Sequence, residues 1–145
     1  LQKDYIIYLF GGGNDNLKQL SIWENVYDNV IDLSNKLNLE QQINIINYID
    51  LMISMDSANG HLAANYNIPV LTLWGMTHPF CGFTPFDQSQ ENSITIDRNL
   101  FPYIPTSIFG NKIPKGYENA FRTIDPKIVI EKALDILSTT TLRHS

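Results

Sequence analysis

Short apolar runs alternate along this chain with polar stretches of helical spacing, and that rhythm predicts a parallel α/β fold. Residues 51–79 (LMISMDSANGHLAANYNIPVLTLWGMTHP) show it most clearly. Residues 51–55 are mostly apolar without clean alternation, as expected of a strand covered on both faces. The run stops at Asp56-Ser57, residue types that cap helix N-termini by accepting hydrogen bonds from free backbone N–H groups. A helix over 57–66 follows, with Leu62 and Tyr66 four apart and small residues at Ala58, Ala63 and Ala64. Asn67 ends it, Pro69 prevents its return, and 70–74 is the next buried strand. A strand–helix–strand unit this compact implies parallel strands joined by a right-handed crossover.

The rest of the chain repeats the alternation. Residues 5–10 (YIIYLF) read as a strand closed by Gly11-Gly12-Gly13, and Asn14-Asp15-Asn16 cap a helix running to about residue 27. Leu17, Leu20, Ile22 and Trp23 are its expected buried side. A strand over 30–33 and a helix from Asn38 to near Asp50 come next, the helix with Ile43, Ile46 and Asn47 at helical spacing. Residues 80–91 read as loop, 94–96 as a last strand, and 98–116, with three prolines and no periodicity, as a long ordered excursion. Asp125-Pro126 opens a final helix carrying Ile128, Ile130, Ala133, Leu134 and Leu137. The expected fold is a single Rossmann-like parallel sheet over residues 1–145, with helices on both faces.

Composition narrows the function. With 145 residues the chain can bury a core of its own. A formal charge of -5 and scattered Lys and Arg argue against a nucleic-acid surface or a basic membrane-facing helix. The single cysteine, Cys81, excludes an internal disulfide and a cysteine-based zinc site, and the expected location is cytoplasmic.

Both polar turns of the central unit, 56–61 and 75–79, fall at the carboxyl ends of the expected strands, where ligands bind in such sheets. Asp56 has two readings, a helix cap or an acceptor for sugar hydroxyls. The helix start behind it, with small residues at Ser57, Ala58 and Gly60, can seat a phosphate or diphosphate on its free amides. His61, one turn in, is either a packing residue or a donor to the same anion. Gly75, Thr77 and His78 are either an incidental polar turn or further donors. The Gly11–Gly12 turn permits close backbone approach but lacks the spacing of a dinucleotide fingerprint. His61 and His78 have no further ligands to make a metal site.

At these residues the chain resembles the ADP-heptose:lipopolysaccharide heptosyltransferases, a glycosyltransferase family with a D-[ST]-G-x-x-H-L-A signature. Residues 56–63 read DSANGHLA, with Ala58 in place of the motif glycine. A proline-led strand follows at 69–74, then a G-x-T-x-P turn at 75–79. Phe10-Gly11-Gly12-Gly13, Leu39-Glu40 and the stretch 107–112 (SIFGNK) match as well. The resemblance implies the C-terminal, donor-binding half of a two-domain GT-B enzyme working without a metal ion. It implies Asp56 on the donor sugar, Ser57, Ala58 and His61 on the diphosphate, residues 37–39 (Leu37 first) beside the base, and Asp15 or Asn16 on the ribose. The implied partners are a nucleotide-diphosphate sugar such as ADP-heptose, an N-terminal acceptor domain, and a lipid-linked glycan acceptor at the inner membrane. On this reading the chain lacks the first strand of its domain, that strand's basic diphosphate ligand and the acceptor domain. It is expected to be inactive alone. A non-catalytic nucleotide-binding module and a sugar-nucleotide epimerase are the alternative readings.

Overall fold

A computed structural model describes residues 5–11 and 14–141. The chain divides into two compact units, Leu1–Ile45 and Ile46–Ser145.

In the first unit, β1 (Ile7–Leu9) and β2 (Val30–Asp32) pair in parallel, Ile7 opposite Val30 and Leu9 opposite Asp32. The helix α1 (Asn14–Val26) connects them. Asn29 ties the far end of the pair, accepting from Ile7 N–H at 2.8 Å and donating its side-chain amide to the Tyr5 carbonyl at 2.7 Å. Ile22 and Trp23 are exposed at 52% and 43%, against their expected burial. Two short strands offer too little apolar area to cover a helix of this length. The helix α2 (Leu39–Ile46) opens on a reciprocal cap: Asn38 Oδ1 accepts from Gln41 N–H at 2.9 Å, and Gln41 Oε1 from Asn38 N–H at 3.0 Å. It stops at Ile46, short of Asp50, and Asn47 is exposed instead of facing inward. A turn from the Ile46 carbonyl to the Ile49 amide replaces the last expected turn, so that the chain can enter the next strand.

The second unit is built on a three-stranded parallel sheet in the order β3 (Met52–Met55), β4 (Val70–Trp74), β5 (Ser93–Thr95). Its register sets Met52 opposite Val70, Met55 opposite Leu73, and Leu73 opposite Ile94. The helix α3 (Ala58–Asn65) makes the crossover and α4 (Pro126–Thr141) lies last in the chain. Neighbouring residues of a strand point to opposite faces. A Cβ on Gly60 of α3 would touch Ser54 and Val70. Leu71 instead packs with Ala133 and Ile136 of α4, flanked by Leu73, Ile94 and Val129. The two helices therefore cover opposite faces, as the sequence predicts. The inward stripe of α4 is Val129, Ala133 and Ile136; Ile128, Ile130 and Leu134, named from the sequence, are exposed.

The expectation for β3 needs correcting. Its burial alternates strictly, with Met52 and Ser54 inside and Ile53 and Met55 exposed at 43% and 53%. Central β4, by contrast, buries Val70, Leu71 and Trp74 completely. The difference follows from position, since β3 is an edge of this sheet whereas β4 lies between two strands.

The C-terminus of α3 is a Schellman motif. Ile68 N–H donates to the Ala63 carbonyl at 3.1 Å and Asn67 N–H to that of Ala64 at 3.0 Å, with Asn67 left-handed at φ 59°. The proline-rich excursion carries a core of its own, in which Ile96, Ile104, Tyr117 and Ala120 pack with Met76, Phe101, Phe121 and Ile124. Among the described residues no helix is long and apolar enough to cross a membrane.

Candidate functional site

Because β3 and β4 are adjacent and parallel, the turns leaving them emerge side by side at the carboxyl edge of the sheet. Asp56, Ser57, Ala58 and His61 are exposed on the first turn and the start of α3. Gly75, Thr77 and His78 form the second turn, where Thr77 and His78 are buried. The structure thus brings together seven of the residues singled out from the sequence.

Ser57 is the N-cap residue of α3 by backbone, but its side chain does not cap. The single proton of Ser54 goes to the Met55 carbonyl at 2.6 Å. The Ser57 hydroxyl, 2.9 Å away, therefore donates to Ser54 Oγ. The pair draws Ser57 back towards the strand, and among the described residues nothing accepts from the amides of Ala58 and Asn59. Those first-turn amides and the positive end of the helix dipole face outward from the turn. Gly60 lets the helix lie close: a Cβ there would stand 3.1 Å from Ser54 Oγ and 3.4 Å from Val70 Cγ1.

On the second turn, His78 Nδ1 accepts from Phe80 N–H at 3.2 Å. The proton of the neutral imidazole is therefore on Nε2, a donor. Burial, reinforced by the charge of Arg98, holds the His78 pKa below its ordinary value, which keeps the ring neutral near pH 7. The Thr77 hydroxyl makes no hydrogen bond among the described residues. The excursion closes on this turn from outside, with Thr106 N–H donating to the Met76 carbonyl at 3.0 Å. Gly110, left-handed at φ 61°, sits so close that a Cβ would meet Thr77 Cγ2 at 2.8 Å.

In the first unit, Gly11 is exposed, and a Cβ on it would stand 3.1 Å from Leu20 Cδ1. Its openness serves close packing on α1. Leu37 is half-buried and its carbonyl accepts from the Gln42 side chain at 3.1 Å. Gly12 and the side chain of Asp15 lie outside the described residues. A polar cluster closes the carboxyl end of β2. Burial alone would push the Asp32 carboxyl up, but the hydroxyl and N–H of Ser34 and the charge of Lys36 hold it below the ordinary range.

Sequence reasoning passed over Ser54, whose signal is a hydroxyl inside an otherwise apolar strand. It also passed over Arg98, the first Lys or Arg after Lys36. Among the described residues no group of three or more His, Cys, Asp or Glu could hold a metal ion.

The family model of glycosyltransferase family 9 (heptosyltransferase) matches residues 1–102. The chain belongs to this family. It is 26% identical over 143 residues to lipooligosaccharide heptosyltransferase 2 of Haemophilus influenzae, a match covering 95% of this chain and 39% of that protein. A solved family 9 glycosyltransferase from Veillonella parvula superposes with a TM-score of 0.63 at 20% identity, over 91% of this chain and 36% of that one. That likeness supports a family 9 fold of Rossmann type for the parallel sheets described above. The chain spans less than two fifths of the length of these family 9 relatives.

Proposed function

We propose that this chain is the donor-binding part of a heptosyltransferase, which moves heptose or a related sugar from a nucleotide-diphosphate sugar to a lipopolysaccharide core acceptor. The observation carrying this reading is the start of α3. Two uncapped amides sit at the carboxyl edge of a parallel sheet, within a DSANGHLA turn, in a family 9 chain. Such amides, with the helix dipole, suit a diphosphate leaving group and need no reorganisation as charge develops on it. Ser57 and Ala58 approach that group through the backbone, and His61 donates to it from one turn along. Asp56 would repel phosphate, so it accepts from the hydroxyls of the donor sugar. Gly75, Thr77 and the Nε2–H of His78 complete the donor set on the neighbouring turn. On the sequence resemblance alone, Leu37 is assigned to the base and Asp15 to the ribose. No metal is required, because amides and side chains offset the diphosphate charge.

We expect no turnover from these 145 residues alone, since they span less than two fifths of the length of the family 9 relatives. The expected working place is the cytoplasmic face of the inner membrane, where a lipid-linked glycan acceptor is presented.

Calorimetric titration of ADP, UDP and GDP tests the reading. ADP should bind best, and Asp56→Ala should weaken ADP-heptose but not ADP. His61→Ala should weaken both by roughly tenfold, the worth of one charged hydrogen bond. Equal binding of all nucleotides by wild type and variants would remove the site assignment.

A further inference from the structure

On the donor-binding reading, the site has to balance the charge of a diphosphate. From Leu37 to Asp97 the chain carries no Lys or Arg, so both turns at the carboxyl edge of the sheet lack a permanent cation of their own. Helix amides and the neutral imidazole of His78 contribute dipoles, whereas a nucleoside diphosphate brings more than two negative charges.

The first cation after that gap is Arg98, and its surroundings are specific. Its Nε donates to the Ile104 carbonyl at 2.9 Å, which anchors the side chain on the excursion. Its Cζ lies 5.6 Å from the centroid of the Phe80 ring. The other neighbour of that ring is His78, with centroids 4.1 Å apart. Phe80 and Ile104 together hold the guanidinium beside the β4 turn. Among the described residues neither an ion pair nor a hydrogen bond engages Nη1 or Nη2. The end of a planar fork that matches phosphate oxygens is left free, near enough to His78 for its charge to act on that ring.

We propose that Arg98 is the cation that binds the diphosphate of the donor at the β4 turn, its two free Nη groups acting beside His78. A leucine-like role for this side chain, in which its stem only packs the excursion, predicts no dependence on phosphate.

The test compares ADP with adenosine on the 145-residue chain. Arg98→Gln keeps a donor for the Ile104 carbonyl while removing the charge, and Arg98→Lys keeps the charge without the fork. Expected for Arg98→Gln is a loss of at least about tenfold in ADP affinity, with adenosine affinity and the melting temperature above about pH 7.5 unchanged. Arg98→Lys should fall between, and the wild-type preference for ADP should shrink as salt rises. Equal ADP binding by wild type and Arg98→Gln overturns the proposal while leaving the donor site intact. Parallel losses of ADP and adenosine also overturn it, as they report the packing role. If wild type binds no nucleotide, both this proposal and the donor-binding reading fall.

Discussion

The hydroxyl of Ser54, inside β3, lies 2.9 Å from that of Ser57, the N-cap residue of α3. This contact decides what the start of the helix can do, because a hydroxyl held against the strand cannot close over the first amides. An N-cap serine that does cap loses about 1 kcal/mol on change to alanine. Here Ser57→Ala should cost less than about 0.5 kcal/mol in urea denaturation, since no cap is removed. A full capping loss would show that the hydroxyl turns onto the amides in solution.

Gly60 is where α3 comes closest to the sheet. Alanine gains about 1 kcal/mol of helix propensity there, but its Cβ would press on Ser54 and Val70 at 3.1–3.4 Å. Overpacking of that kind costs about 1–3 kcal/mol, so Gly60→Ala should lose about 1 kcal/mol net, with an unchanged denaturant slope.

Asn67 holds the left-handed position that ends α3, at φ 59°. Asn67→Ala should cost about 1 kcal/mol of stability, and Asn67→Gly should be neutral or better. Thermal melts of the two variants check the order.

Gly110 is both left-handed and within reach of Thr77. Gly110→Ala must push the excursion off the β4 turn, at a cost of about 2 kcal/mol. The displacement should be visible as faster tryptic cleavage after Lys112, relative to cleavage after Lys127.

His78 makes stability depend on pH. Its folded pKa is below the ordinary 6.5, so the unfolded chain binds the proton more readily. Stability is then complete above that value and falls as pH drops through it. The melting temperature should decline between about pH 7.5 and 5.5. His78→Gln should flatten that decline, and Arg98→Gln should lessen it by removing the neighbouring charge.

The carboxyl-edge site was legible where local chemistry dictates backbone. Asp56-Ser57 after an apolar run, Asn67 before Pro69, and Gly75–Pro79 each mark a turn by residue type, and the structure puts turns there. What could not be read was which side of an element faces inward. Met52 to Met55 looked evenly apolar, yet only Met52 and Ser54 are inside. On α4 the sequence placed Ala133 inward correctly but Ile128, Ile130 and Leu134 wrongly, since Val129 and Ile130 are equally apolar and only the seat on Leu71 separates them. Ser57 looked like a cap because caps are local, and the partner that draws it away, Ser54, acts through a side-chain contact set by the packing of the strand.

The amino-acid order determined the succession of strands and helices, the positions of the turns, and the family, because these depend on periodicity, on capping chemistry and on motifs a few residues long. Only the tertiary structure decided that α3 begins with open amides, that Thr77 is roofed by Gly110, and that Arg98 and His78 both meet the Phe80 ring. Those relationships join residues 20 or more positions apart, or depend on which face a neighbour buries. Pairwise distance and packing set them, and neither is a property of a short stretch of chain.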